Sequence, residues 1–139
     1  MKILCVSSEG RSARLFQALL KRALLNHPLQ VLMSNGRSNL AERSYFYNRM
    51  VLFLLRQKKL ELPERGPWIG ELCLAEYDCI FCSTEKDAAA LRRLNYPEEK
   101  TILLPWENTN WSMERYVDEL EKFAEDWAMT LTTVMHANP

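Results

Sequence analysis

MKILCVSSEGRSARLFQALLKRALL, residues 1–25, passes from a short apolar run through small polar residues into an amphipathic repeat. Lys2–Val6 reads as a strand and Ser7–Gly10 as a tight polar loop. From Ser12 onward the spacing predicts a helix, with Leu15, Phe16, Leu19, Ala23 and Leu24 on one stripe. Cys5 and Arg11 are separated by five residues across the junction, and Ser12 follows. A strand that feeds a small-residue loop opening a helix gathers backbone N–H groups around a point of positive potential. A thiolate there would be stabilised by those donors, the helix dipole and the guanidinium, so the Cys5 pKa is expected to fall. The planar fork of Arg11 suits two oxygens of a phosphate or related oxyanion.

The rest of the chain continues the alternation. Asn26-His27-Pro28 ends the first helix, since proline cannot continue it. Leu29–Met33 is expected to be a second strand, closed by Ser34-Asn35-Gly36. His27 sits at the wrong end of the helix to serve Cys5 and reads as a surface residue. A helix is predicted over Asn39–Gln57, where Tyr45, Phe46 and Tyr47 form an aromatic cluster that packs in a core or lines a substrate mouth. Lys58–Pro67 is a charged connector, and Trp68–Glu76 suggests a short helix. Asp78–Cys82 is apolar enough for a buried parallel strand. Thr84 can cap a helix over Glu85–Leu94, whose early acids and late arginines match the helix dipole. Lys100–Leu104 is the fourth strand, and Ser112 caps a long last helix. The pattern fades beyond Met129. The expectation is therefore one domain over residues 1–129 with a frayed tail at 130–139. Strands alternating with helices predict an α/β fold, a parallel sheet with helices on both faces. Ligands in such sheets sit beyond the carboxyl ends of the strands.

Composition narrows the partners. The 139 residues carry 18 basic and 18 acidic side chains, so the net charge is zero. No global field attracts nucleic acid. No apolar run approaches membrane-spanning length, and the first residues turn polar too soon for a secretory signal. A cytoplasmic location with reduced thiols is the expectation. The four cysteines, at 5, 73, 79 and 82, lack zinc spacing, so neither a metal nor a cofactor is expected.

Cys5-Val6-Ser7-Ser8-Glu9-Gly10-Arg11-Ser12 resembles the CX5R(S/T) phosphate loop of the low-molecular-weight protein tyrosine phosphatases. Ser34-Asn35-Gly36 falls where that family's second strand ends in Ser-Ala-Gly, and Tyr77–Cys82 is similar to its third strand. The resemblance implies a four-stranded parallel sheet of order 2-1-3-4 and a phosphomonoesterase working through a phosphocysteine on Cys5. Arg11 and the backbone N–H groups of Val6, Ser7, Ser8, Glu9, Gly10 and Arg11 would hold the phosphoryl oxygens. Ser12 would hydrogen-bond the sulfur. The substrate would be a phosphorylated protein or a small phosphomonoester, with phosphate, vanadate and arsenate as oxyanion ligands.

The chain also departs from the family. The Asp that serves as general acid aligns with Leu104, in Leu104-Pro105-Trp106, and Glu107 is the nearby carboxylate that could replace it. Ser8 stands where an Asn braces the loop, and Glu9 adds a negative charge to its rim. Two alternatives follow. One is a non-catalytic phosphate- or phosphotyrosine-binding pseudophosphatase. The other is a thiol enzyme like the arsenate reductases that share the fold, with Cys82 in the redox role beside Cys5.

Overall fold

The structure is a computed structural model that describes residues 1–8, 10–27, 30–40, 49–104 and 111–137. Its strands are β1 (Lys2–Ser7), β2 (Leu32–Arg37), β3 (Cys79–Cys82) and β4 (Thr101–Leu103). Its α-helices are α1 (Arg11–Leu24), α2 (Arg49–Gln57), α3 (Glu85–Arg93) and α4 (Met113–Ala137). The four strands form a parallel sheet of order β2-β1-β3-β4, as expected.

Alternation along β1 assigns the two faces. Ile3 and Cys5 enter a core cluster with Phe16 and Leu20 of α1, Leu54 of α2, and Val117 and Leu120 of α4. Leu4 and Val6 enter a second, smaller cluster with Ala88 and Leu91 of α3. Side chains of successive strand residues point to opposite faces, so α1, α2 and α4 cover one side and α3 the other. Phe16 and Phe81 meet with ring centroids 5.0 Å apart, and Trp127 stands edge-on to Phe81 at 5.4 Å. These aromatic contacts lock α1 and α4 onto the sheet.

Three elements differ from the sequence reading, each for a physical reason. β2 begins three residues later than expected and runs through Arg37. Its buried carboxyl half, Asn35-Gly36-Arg37, is polar, and hydrogen bonds rather than apolar packing hold it. The expected helix at 68–76 is instead two 3-10 turns, Ile69–Glu71 and Leu74–Glu76. α4 does not fray at 130 but continues to Ala137, with Leu131 buried in the first cluster. The helix expected to begin at Asn39 is seen only as α2, because residues 41–48, with Tyr45 and Tyr47, lie outside the described residues.

The caps follow the sequence more closely. Thr84 Oγ1 accepts the Asp87 N–H and the Asp87 carboxylate accepts the Thr84 N–H, a reciprocal capping box. Ser112 Oγ accepts the Arg115 N–H at the start of α4. Among the described residues no helix is long and apolar enough to cross a membrane.

Candidate functional site

The carboxyl ends of β1 and β2 and the start of α1 meet at Gly10. This residue has φ of 90°, a left-handed conformation that glycine adopts without Cβ strain, and it turns the chain from strand to helix. A Cβ placed there would lie 3.5 Å from Cγ of both Arg37 and Arg65. Two arginine side chains therefore pack around the turn, and Arg11 follows it as the exposed first residue of α1. Arg37 is buried at the end of β2 and donates from Nη1 to the Asn39 carbonyl.

Asn35 holds the third arginine's segment in place. Its amide Nδ2 donates to Gln17 Oε1 at 2.8 Å and to the Glu64 carbonyl at 2.9 Å, while its Oδ1 accepts the Gly66 N–H at 2.6 Å. Arg14 Nε donates to the Pro63 carbonyl at 2.7 Å, and the Arg37 N–H to the Pro67 carbonyl at 2.9 Å. The connector from Pro63 to Pro67 is thus stapled along β2, which delivers Arg65 to Gly10. A Cβ at Gly66 would stand 1.7 Å from the Asn35 carbonyl oxygen, so glycine is required for that approach. Neither Arg37 nor Arg65 is a candidate site residue by local sequence pattern, and Asn35 stands there only as part of Ser34-Asn35-Gly36. The available signal was Arg37 directly after Ser34-Asn35-Gly36, and Arg65 framed by Pro63 and Pro67.

Cys5 lies in the first strand, as expected, but its environment differs from the expected one. It lies within β1, two residues before the strand ends, in register with Asn35 of β2 and Phe81 of β3. Its side chain is fully buried in the first core cluster. Loss of solvation, with a smaller contribution from Cys79, pushes its thiol far above the ordinary range, the reverse of the fall expected from a helix-start thiolate. Val6 and Ser7 likewise belong to the ladder, paired with Gly36 and Arg37.

The other predicted residues separate in the same way. Ser7 is the last residue of β1, 4% exposed, and its Oγ accepts the Ala13 N–H at 3.2 Å. Ser8 is exposed and its carbonyl accepts the Asn39 N–H. Ser12 accepts a hydrogen bond from the Tyr116 hydroxyl of α4 at 3.4 Å. Cys82 enters the second core cluster, on the sheet face opposite Cys5. Burial first, then the charges of Asp87 and Glu85, push the Cys82 thiol up to about 12. Closing a disulfide between Cys5 and Cys82 would require both buried thiols to leave their clusters. Leu104 is 4% exposed in the first cluster, its N–H bonded to the Cys82 carbonyl. Glu9 and Glu107 lie outside the described residues. Among the described residues no group of three or more His, Cys, Asp or Glu could hold a metal ion.

No known family model matches the sequence, and no curated protein does. Solved structures do match the fold. The YwlE arginine phosphatase from Geobacillus stearothermophilus superposes with a TM-score of 0.73 at 19% identity, covering 99% of this chain and 97% of that one. A low-molecular-weight protein tyrosine phosphatase from Bacillus subtilis gives 0.73 at 16% identity, with coverage of 96% and 98%. The tyrosine phosphatase Wzb from Escherichia coli K30, solved with sulphate, gives 0.69 at 19% identity, with coverage of 94% and 97%. Low-molecular-weight protein tyrosine phosphatases are thus the structural neighbours over nearly the whole chain. At these identities the likeness establishes a shared fold.

Proposed function

We propose that this chain is a phosphate-binding domain on the low-molecular-weight phosphatase fold that does not form a phosphocysteine, a non-catalytic pseudophosphatase. One observation carries the reading: Cys5 is fully buried within β1, and burial pushes its thiol pKa up. A nucleophile must be ionised and within reach of phosphorus, and the burial of Cys5 opposes both.

Binding is supported by what surrounds Gly10. The start of α1 presents helix N–H groups and the positive end of the helix dipole. Arg11 stands at its exposed first turn, and the stems of Arg37 and Arg65 pack on the same glycine. Guanidinium groups suit tetrahedral oxyanions because they donate in bidentate pairs. A neighbour solved with sulphate carries a ligand of that class. The ligand would be a phosphorylated protein or small phosphomonoester, with phosphate, vanadate or arsenate as simple analogues.

The test is a pair of measurements on the full chain. Calorimetric titration with inorganic phosphate and a phosphotyrosine peptide should show binding that Arg11→Ala weakens. p-Nitrophenyl phosphate turnover should be the same in the parent and in Cys5→Ala. Turnover that Cys5→Ala abolishes would restore the phosphocysteine mechanism, and absence of phosphate binding would remove the binding reading.

A further inference from the structure

On the α3 face of the sheet, beside the turns that lead into β3 and β4, the chain leaves a hollow of about 510 Å³. It exists because the α3 face is thinly covered. The 3-10 turns Ile69–Glu71 and Leu74–Glu76 replace a helix there, and α3 has only nine residues. Asn95, with φ of 65°, turns the chain away after α3. The floor is Ile69, Leu74, Tyr77 and Tyr96, all buried. Tyr96 is fixed by its hydroxyl, which donates to the Tyr77 carbonyl at 3.0 Å. Leu72 and Leu94 form the apolar walls, with Leu94 38% exposed.

The polar lining is sparse and of one sign. Lys100 contributes an ammonium, Asn95 an amide and Cys73 an exposed thiol, and no Asp or Glu lines the hollow. Among the described residues Lys100 makes no ion pair, while Glu98 of the same turn is engaged by Arg92 at 3.5 Å. Small-molecule sites have this make-up: a few hundred cubic ångströms, mostly apolar walls, and few polar groups to orient the ligand. We propose that this hollow binds a small amphipathic anion, an aromatic or aliphatic acid. Its apolar body would lie against Tyr77, Tyr96 and Leu94, and its carboxylate or sulfonate would face Lys100. The site is separate from the Gly10 turn and stands or falls without the phosphate reading.

Fluorescence titration of the full chain with anilinonaphthalene sulfonate tests this, beside the uncharged N-phenylnaphthylamine as comparator. Alkylation of Cys73 by iodoacetamide, followed by peptide mapping, reports occupancy at the rim. The expected result is saturable sulfonate binding that slows Cys73 alkylation. Lys100→Glu, at an exposed position, should weaken the sulfonate about fivefold, the scale of reversing one exposed charge pair, and spare the neutral probe. Sulfonate binding that leaves Cys73 alkylation unchanged would overturn the site. So would equal loss of both probes in Lys100→Glu, or no binding at all.

Discussion

The Ser7 hydroxyl accepts the Ala13 N–H at 3.2 Å, so the last residue of β1 is bonded to the first turn of α1. Gly10 stands at the N-cap position and has no side chain to do this. Ser7 therefore satisfies one of the helix's open donors from the neighbouring strand. Ser7→Ala should lower stability by about 1 kcal/mol in urea denaturation, the usual loss for a capping hydroxyl. Ser8→Ala, at an exposed position, should change it by less than about 0.5 kcal/mol.

The Asn35 amide makes three hydrogen bonds that tie β2 to α1 and to the connector. Asn35→Ala should cost about 2–3 kcal/mol, since buried partners are left unsatisfied. Hydrogen exchange should accelerate first at Gly66 and Arg37, whose N–H groups bond Asn35 Oδ1 and the Pro67 carbonyl. Exchange confined to some other segment would contradict the stapling role.

Leu104 packs in the first core cluster, so Leu104→Asp places a carboxylate among apolar side chains. The variant should lose about 3 kcal/mol or more of stability and gain no p-nitrophenyl phosphate hydrolysis. Restored activity in a stable variant would mean that residue 104 reaches a catalytic site.

Cys79 and Cys82 are raised to about 11 and about 12, chiefly by burial, and burial raises Cys5 as well. In the unfolded chain a thiol titrates near about 8.5. These groups favour folding fully below that value, and the contribution is lost as pH climbs toward their folded pKa values. Stability should not depend on these thiols from pH ~6 to ~8. Between pH ~9 and ~11 each should remove up to about 1.4 kcal/mol per pH unit. Cys82→Ala should lessen the alkaline slope by up to one thiol's share, measured from denaturation midpoints.

The fold was legible because it rests on local signals. The apolar runs at Ile3–Val6 and Cys79–Cys82, the Thr84 cap and the helical spacing of α4 are all short-range. The end of β1 is not such a signal. Whether the strand stops at Cys5 or Ser7 depends on pairing with β2, where the Ser38 and Asn39 N–H groups bond the Ser7 and Ser8 carbonyls. That pairing carries the strand one residue beyond the expected Val6, to Ser7, and the sheet seals Cys5 in the core. The CX5RS spacing is the same either way. Arg65 reaches Gly10 through an Asn35 contact 31 residues away in sequence, which no local pattern announces.

The most direct measurement is the rate of alkylation of each cysteine by iodoacetamide in the folded chain at neutral pH, resolved by peptide mapping. Cys73 is exposed, whereas Cys5, Cys79 and Cys82 are buried. The account predicts that Cys73 reacts first and that Cys5 reacts only on unfolding, with or without phosphate. Fast alkylation of folded Cys5, slowed by phosphate or vanadate, would contradict it and make Cys5 the nucleophile.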